Sequence, residues 1–254
     1  MFKVGLFVPV YFREDQVEKC LDSLATSNYN FQDLEVFICI GLNGARQSFK
    51  DGYLTDFCKK YDKTVFASIR IFDVGENIGK PKMINHMTQS RNDYDFVVSI
   101  DSDMIAEDRN WLVKMLIVFG NYNHTKKLGA LCSNQSGHNV HMVDSYQVIK
   151  KKVKGMTLIT SPSNDGVAGG VLMTPLRVWH QLKGYRAFNL YGSDDGHYAR
   201  DCFRNNYVMA YVDEISFYHP LPNDDGYAKW KSKAVSNRLS DEEIQGFYED
   251  MREK

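Results

Sequence analysis

Two carboxylates, Asp101 and Asp103, follow directly on the apolar run Phe96-Val97-Val98-Ser99-Ile100. In extended backbone, residues two apart point the same way, so both can face one point beyond the end of a buried strand. Like charges that close call for a cation. Hard oxygen donors suit Mg2+ or Mn2+, ions that typically join protein carboxylates to substrate phosphates. A solvated turn with two helix-capping aspartates would read the same. A second stretch, Glu76-Asn77-Ile78-Gly79-Lys80-Pro81-Lys82, leads into a helix. Its backbone N–H groups and two lysines suit an anion at a helix N-terminus, and phosphate is the natural occupant. Taken alone, that stretch is equally a plain β-to-α loop.

The elements that must position these groups alternate. Residues 3–8, 34–40, 65–72 and 95–100 are apolar runs that read as strands. Helices are expected between them. After Asp15 as N-cap, Val17, Cys20, Leu21 and Leu24 recur at helical spacing; residues 49–61 read as a second helix, and Pro81 opens a third with Ile84 and Met87 inward. The turn Gly41-Leu42-Asn43-Gly44 tolerates positive φ. Strands that read as unbroken apolar runs are buried on both faces. The series therefore implies an α/β fold with a mainly parallel sheet, and ligands in such sheets gather at the carboxyl ends of strands.

Asp108 reads as the cap of a helix carrying Leu112, Met115, Leu116 and Phe119 on one face. Periodicity weakens over residues 133–166, where irregular or antiparallel structure is expected. It recovers as a strand at 169–173, helices at 175–182 and after Asp195, and strands at 208–212 and 215–218. Ser240 with Glu243 forms a capping-box pattern for a final helix.

Composition bounds the function. The 254 residues include 31 Lys plus Arg against 32 Asp plus Glu, a net charge of -1, with 43% hydrophobic residues. That balance excludes disorder and argues against a protein whose main work is coating nucleic acid. The five cysteines, Cys20, Cys39, Cys58, Cys132 and Cys202, are odd in number and lack CxxC spacing, so a reducing, cytoplasmic setting is the simpler expectation. Residues 4–12 are too short for a signal-peptide core, hold Pro9, and run into Arg13-Glu14-Asp15 without a small-residue cleavage site. No stretch is long enough to span a bilayer, so integral membrane contact is not expected.

An ordered set of motifs resembles the GT-A fold nucleotide-sugar glycosyltransferases, specifically those of the family 2 type. Val8-Pro9-Val10-Tyr11 resembles that family's first-strand signature, and Asn77-Ile78-Gly79-Lys80 with Asn85 its N-x-G-K…N segment. Val98-Ser99-Ile100-Asp101-Ser102-Asp103 matches its metal-binding DxD. Gly169-Gly170-Val171-Leu172-Met173 is similar to its donor-sugar strand, Gly184-Tyr185 and Tyr191-Gly192-Ser193-Asp194-Asp195 to its acidic catalytic segment, and Tyr218-His219-Pro220 to its closing metal-ligand histidine. The resemblance runs over about residues 2–220. It implies a Rossmann-like, mainly parallel sheet flanked by helices, with a small antiparallel portion toward the C-terminal half. The implied glycosyltransferase domain is 1–220, with a nucleotide-binding half to about 103 and a catalytic and acceptor half from about 104. Residues 221–254 are left as a lid loop, including Asp224-Asp225-Gly226-Tyr227-Ala228-Lys229-Trp230-Lys231, and the final helix.

The resemblance also implies roles. Asp103 binds Mn2+ or Mg2+ directly, Asp101 contacts the ribose or reaches the metal through water, and His219 is the third protein ligand. Pro9 and Tyr11 lie near the nucleobase, Lys80 near the diphosphate, and Asn43, Asn77, Ser102, Gly169 and Gly170 complete the donor site. Asp195 is the general base and Asp194 holds a donor or acceptor hydroxyl. Counting back from Asn206-Tyr207 gives this order, whereas reading forward from Gly192 puts the base at Asp194; a pair of helix caps is the simpler alternative. Many members of that family carry an acidic residue for the nucleobase after the second strand, where this chain reads Gly41-Leu42-Asn43-Gly44, but a UDP-sugar remains the expected donor. The QxxRW motif and transmembrane helices of processive members are missing, so transfer of a single sugar to a hydroxyl acceptor is expected, and the resemblance implies inversion. The acceptor is expected to be a glycan or small molecule. The Lys150-Lys151-Lys152 and Lys154 cluster leaves modified nucleic acid as a minority acceptor. Two other readings share these residues: a nucleotidyltransferase, which would want a Gly-rich loop after the first strand, and a non-catalytic sugar-nucleotide or glycan-binding module.

Overall fold

The computed structural model describes residues 1–11, 13–137, 146–187 and 194–220. The first four long strands are β1 (Phe2–Val10), β2 (Leu34–Leu42), β3 (Ser68–Asp73) and β4 (Phe96–Ile100). They pair in parallel in the order β3-β2-β1-β4. Val4, Leu6, Phe7, Val8 and Val10 of β1 are all fully buried, as a strand covered on both faces requires. Leu6 and Val8 pack with Val17, Leu21 and Leu24 of α1 (Glu14–Ala25), while Phe7, between them, belongs to a second core with Met83, Ile84 and Met87. Those three lie on α4 (Lys80–Gln89), so the two helices cover opposite faces.

Beyond β4 the sheet continues through β5 (Ile105–Ala106), β6 (Lys127–Gly137), β7 (Ile149–Val153), β8 (Met156–Thr160), β9 (Val171–Pro175) and β10 (Tyr207–His219). The full order is β3-β2-β1-β4-β9-β6-β10-β8-β7, with β5 on β10. β9 runs antiparallel to β4 and β6, and β8 antiparallel to β7 and β10, while β6 and β10 are parallel. The mainly parallel α/β sheet with an antiparallel portion in the C-terminal half is thus present. The remaining helices are α2 (Gln47–Phe49), which passes through a π-helical turn at Lys50–Leu54 into α3 (Thr55–Tyr61), then α5 (Trp111–Asn121), α6 (Leu176–Leu182) and α7 (Asp194–Arg204).

Several boundaries differ from those read in the sequence. Asp15 is not the cap of α1: the cap position is Arg13, in the left-handed region at φ 51, and Asp15 sits in the first turn, where its charge complements the helix dipole. Asp108 likewise precedes the cap, accepting the Asn110 N–H, and α5 opens at Trp111. The two expected final strands are one, β10, whose register against β6 shifts between Val212 and Ser216, where Asp213 and Glu214 turn outward. Within 133–166, β7 and β8 form the expected antiparallel hairpin, turning at Lys154 and Gly155 with both φ positive. Ser133 to Gly137, however, form the end of β6, a strand with no counterpart in the sequence expectations because it is buried along most of its length and shows no alternation. The lysines of β7 lie on a sheet edge, with Lys150 and Lys152 exposed, a placement that discourages edge-to-edge pairing. The expected lid and the helix after Ser240 lie outside the described residues, as do Tyr191-Gly192-Ser193.

Candidate active site

Three loops meet at the carboxyl ends of β1, β2 and β4. Asn43, just past β2 and 2% exposed, ties two of them together: its Nδ2 donates to Asn77 Oδ1 at 2.7 Å, and its Oδ1 accepts the Ile78 N–H at 2.7 Å. Asn77 Oδ1 also accepts the Gly79 N–H at 3.0 Å. Gly79 then caps α4 at φ 86 and ψ 153, a conformation open to glycine and strained for other residues. Lys80 is therefore the first residue of α4, and its ammonium is buried in the crevice. The amides of Asn43 and Asn77, both expected at the donor site, shape this loop at the edge of the crevice.

Lys80 Nζ lies 2.6 Å from Asp101 Oδ1 and 2.7 Å from Asp194 Oδ2, and 5.6 Å from the centre of the Tyr185 ring. Burial opposes the ammonium charge, but the Asp101 and Asp194 carboxylates outweigh it and hold Lys80 well above its ordinary pKa. Asp101 responds in the other sense. Burial pushes it up to about 6, with Lys80 pulling it down and Asp194 and Asp103 pushing it further up. Tyr185 is itself fixed by Asn85, which donates to the Tyr185 carbonyl at 2.8 Å and accepts its N–H at 3.0 Å.

Asp103 turns elsewhere. Its Oδ2 is 3.3 Å from His219 Nε2, at the end of β10, and 3.3 Å from Arg13 Nη1, at the start of α1. All three side chains are nearly buried. Among the described residues, no three His, Cys, Asp or Glu side chains are grouped to hold a metal ion. The geometry offers a pair, one carboxylate and one imidazole facing each other. That pair suits an ion such as Mn2+, for which imidazole is an acceptable ligand and whose remaining positions a diphosphate and water would fill. Asp101, engaged with Lys80, is not part of the pair.

Asp195, at the start of α7, is held by backbone. Its Oδ2 accepts the Gly169 N–H at 3.0 Å and its Oδ1 the Gly196 N–H at 2.8 Å. Burial first, and then the adjacent Asp194 carboxylate, raise its pKa against the pull of Lys80 and the two N–H groups. A side chain on Gly169 would lie 2.6 Å from Asp195 Cβ, so this approach requires glycine. Gly170 is equally enclosed, by Gln135 and Met104, and its carbonyl accepts the Asp101 N–H at 2.8 Å. The pair Gly169-Gly170 thus links the two acidic segments. Pro9 pairs with Gly41 inside the sheet, Tyr11 borders the crevice beside Gly44, and Ser102 occupies the turn between the two aspartates.

Arg13 had no role in the sequence reading. Its signal was position: a cation just past the carboxyl end of the first strand, where the ligand edge of the sheet lies.

No protein-family model matches the chain, and no curated protein sequence matches it either. Solved structures do. The mannosyltransferase PcManGT from Pyrobaculum calidifontis, in complex with GDP-Man and Mn2+, is 17% identical with a TM-score of 0.63, covering 89% of this chain and 59% of its own. S. aureus TarS 1-349 is 14% identical with a TM-score of 0.61, covering 96% of this chain and 68% of its own. GalNAc-T7 with UDP, GalNAc and Mn2+ is 8% identical with a TM-score of 0.63, over 87% and 44%. This chain therefore spans well under two thirds of two of these three. Among its described residues no helix is long and apolar enough to cross a membrane. At such identities the likeness speaks for architecture: the chain has the GT-A type of fold.

Proposed function

We propose that the protein is a Mn2+- or Mg2+-dependent glycosyltransferase of the family 2 type that moves a single sugar from a UDP-sugar to a hydroxyl acceptor with inversion. The observation that carries this reading is the convergence of Asp103 and His219 at 3.3 Å on the ligand edge of a GT-A sheet, with the Lys80 clamp beside them. Neighbours solved with GDP-Man, UDP and Mn2+ support it. The donor site in this reading includes Pro9, Tyr11 and Ser102, with Asp101 near the ribose.

Asp103 and His219 would hold the divalent ion, which supplies charge stabilisation to the departing nucleoside diphosphate. Lys80 adds a fixed positive charge on the same side and keeps Asp101 and Asp194 in place. Asp195 is the general base: its raised pKa brings a carboxylate closer to neutral operating pH, and the two N–H groups fix the direction of its lone pairs. Asp194, committed to Lys80 and 5% exposed, acts by holding that cation and a substrate hydroxyl rather than by taking a proton. Residues 1–220 form the transferase domain in this reading, the acceptor is a glycan or small molecule, and the compartment is the cytoplasm, consistent with five free cysteines.

Incubation with a panel of UDP- and GDP-sugars and Mn2+ tests the proposal. Metal-dependent release of nucleoside diphosphate supports it. Release of pyrophosphate would make the protein a nucleotidyltransferase, and binding without turnover of any donor, with every acceptor class tried, would make it a binding module.

A further inference from the structure

Among the described residues, two nearly buried cations meet the acidic groups of the crevice, and they are held differently. Lys80 is clamped between two carboxylates, Asp101 and Asp194. Arg13 meets Asp103, on the same Oδ2 that faces His219, at 3.3 Å each. Its backbone is firmly set: the Arg13 carbonyl accepts the Gln16 and Val17 N–H groups at 2.8 and 3.1 Å, and the residue sits in the left-handed region at φ 51 and ψ 47. Non-glycine residues rarely adopt that conformation unless the surroundings enforce it, and here it aims a long cationic side chain into the crevice.

We propose that Arg13 is an exchangeable counter-cation: it neutralises Asp103 while no divalent ion is bound, and transfers its guanidinium to the donor's diphosphate when the ion takes Asp103 and His219. The inference rests on the functional reading above, in which that pair holds the metal. A guanidinium and a divalent ion repel each other and cannot both occupy one carboxylate oxygen that already faces an imidazole. Of the two buried cations, Lys80 keeps both of its carboxylates when the metal arrives, whereas Arg13 loses Asp103. A diphosphate entering with the metal presents oxygens in the fork geometry that a guanidinium binds bidentately. Charge is balanced in both states, so Asp103 is never left buried without a cation.

The exchange has an unusual signature, because one residue opposes metal binding and favours nucleotide binding. In Arg13→Gln, Mn2+ alone, titrated by electron paramagnetic resonance of the free ion, binds about tenfold more tightly than in the wild type, and UDP at saturating Mn2+ binds about tenfold more weakly by calorimetry. Arg13→Lys keeps the charge but loses the fork, so Mn2+ alone binds as in the wild type while UDP is still weakened. Unchanged or weaker Mn2+ binding in Arg13→Gln, unchanged UDP binding there, or a Lys variant with tightened Mn2+ binding would each overturn the exchange. Asp103→Asn separates the two levels: if it leaves Mn2+ affinity intact, the metal assignment falls and the exchange with it, whereas weakened Mn2+ binding alongside an unresponsive Arg13→Gln removes the exchange alone.

Discussion

Replacing Lys80 with Met keeps most of the volume of its stem and removes the charge that joins Asp101 and Asp194. Both carboxylates are then left in a crevice where the three side chains are only 12%, 24% and 7% exposed, so solvent screens little of the loss. Breaking a buried pair in this way costs about 3–5 kcal/mol, which for a chain of this length is a fall in Tm of roughly 6–20 °C. The cost depends on pH in a defined direction. Asp101 already stands at about 6 in the folded protein against 3.8 as its ordinary value, and Lys80 is one of the groups pulling it down. Without Lys80 it rises further, and a carboxyl whose folded pKa lies above its unfolded value contributes stability that is lost as pH rises through that interval. Urea unfolding of both proteins at pH 5 and pH 8, followed by far-ultraviolet circular dichroism, should therefore show a larger loss at pH 8. A loss below about 1 kcal/mol, in the range of an exposed ion pair, or an equal loss at both pH values would refute the argument.

Asp195→Asn should retain UDP binding and lose transfer, and the acidic limb of the wild-type kcat/KM profile should lie above the ordinary carboxylate value of 3.8, since the carboxylate must lose its proton to act. Gly169→Ala inserts a methyl 2.6 Å from Asp195 Cβ and should lower kcat while leaving UDP affinity, measured by calorimetry, within about twofold of the wild type. Asn85→Ala leaves the Tyr185 N–H and carbonyl without their side-chain partner and should cost about 1–3 kcal/mol in urea unfolding at neutral pH.

The parallel block was legible because its strands are buried on both faces: Leu6, Phe7 and Val8 each find a helix-covered core, and the sequence shows this as an unbroken apolar run. Asp101 and Asp103 could be placed at a strand tip for the same reason. Their division of labour could not. Period-two reasoning aims both carboxylates at one point, yet the chain turns at Asp101, whose carbonyl accepts the Met104 N–H, and the two side chains part toward Lys80 and His219. Arg13 escaped notice because its proximity to Asp103 arises from the pairing of β1 with β4 across 90 residues, a distance no local pattern encodes. The roles of Asn43 and Asn77 were hidden similarly: an asparagine after a strand reads as a turn residue or a ligand contact, and only the structure shows the two amides bonded to each other. Burial also erased the alternation of β6, so the sequence shows no strand anywhere over Lys127–Gly137.

A crystal structure of the protein grown with UDP and Mn2+, with anomalous diffraction collected at the manganese edge, tests whether Asp103 and His219 hold the ion. The expected result is a manganese peak bonded to Asp103 and His219 and to the diphosphate, beside an unbroken Lys80 clamp. A nucleotide seated in the crevice with manganese absent from Asp103 and His219, or both bound elsewhere on the molecule, would contradict it.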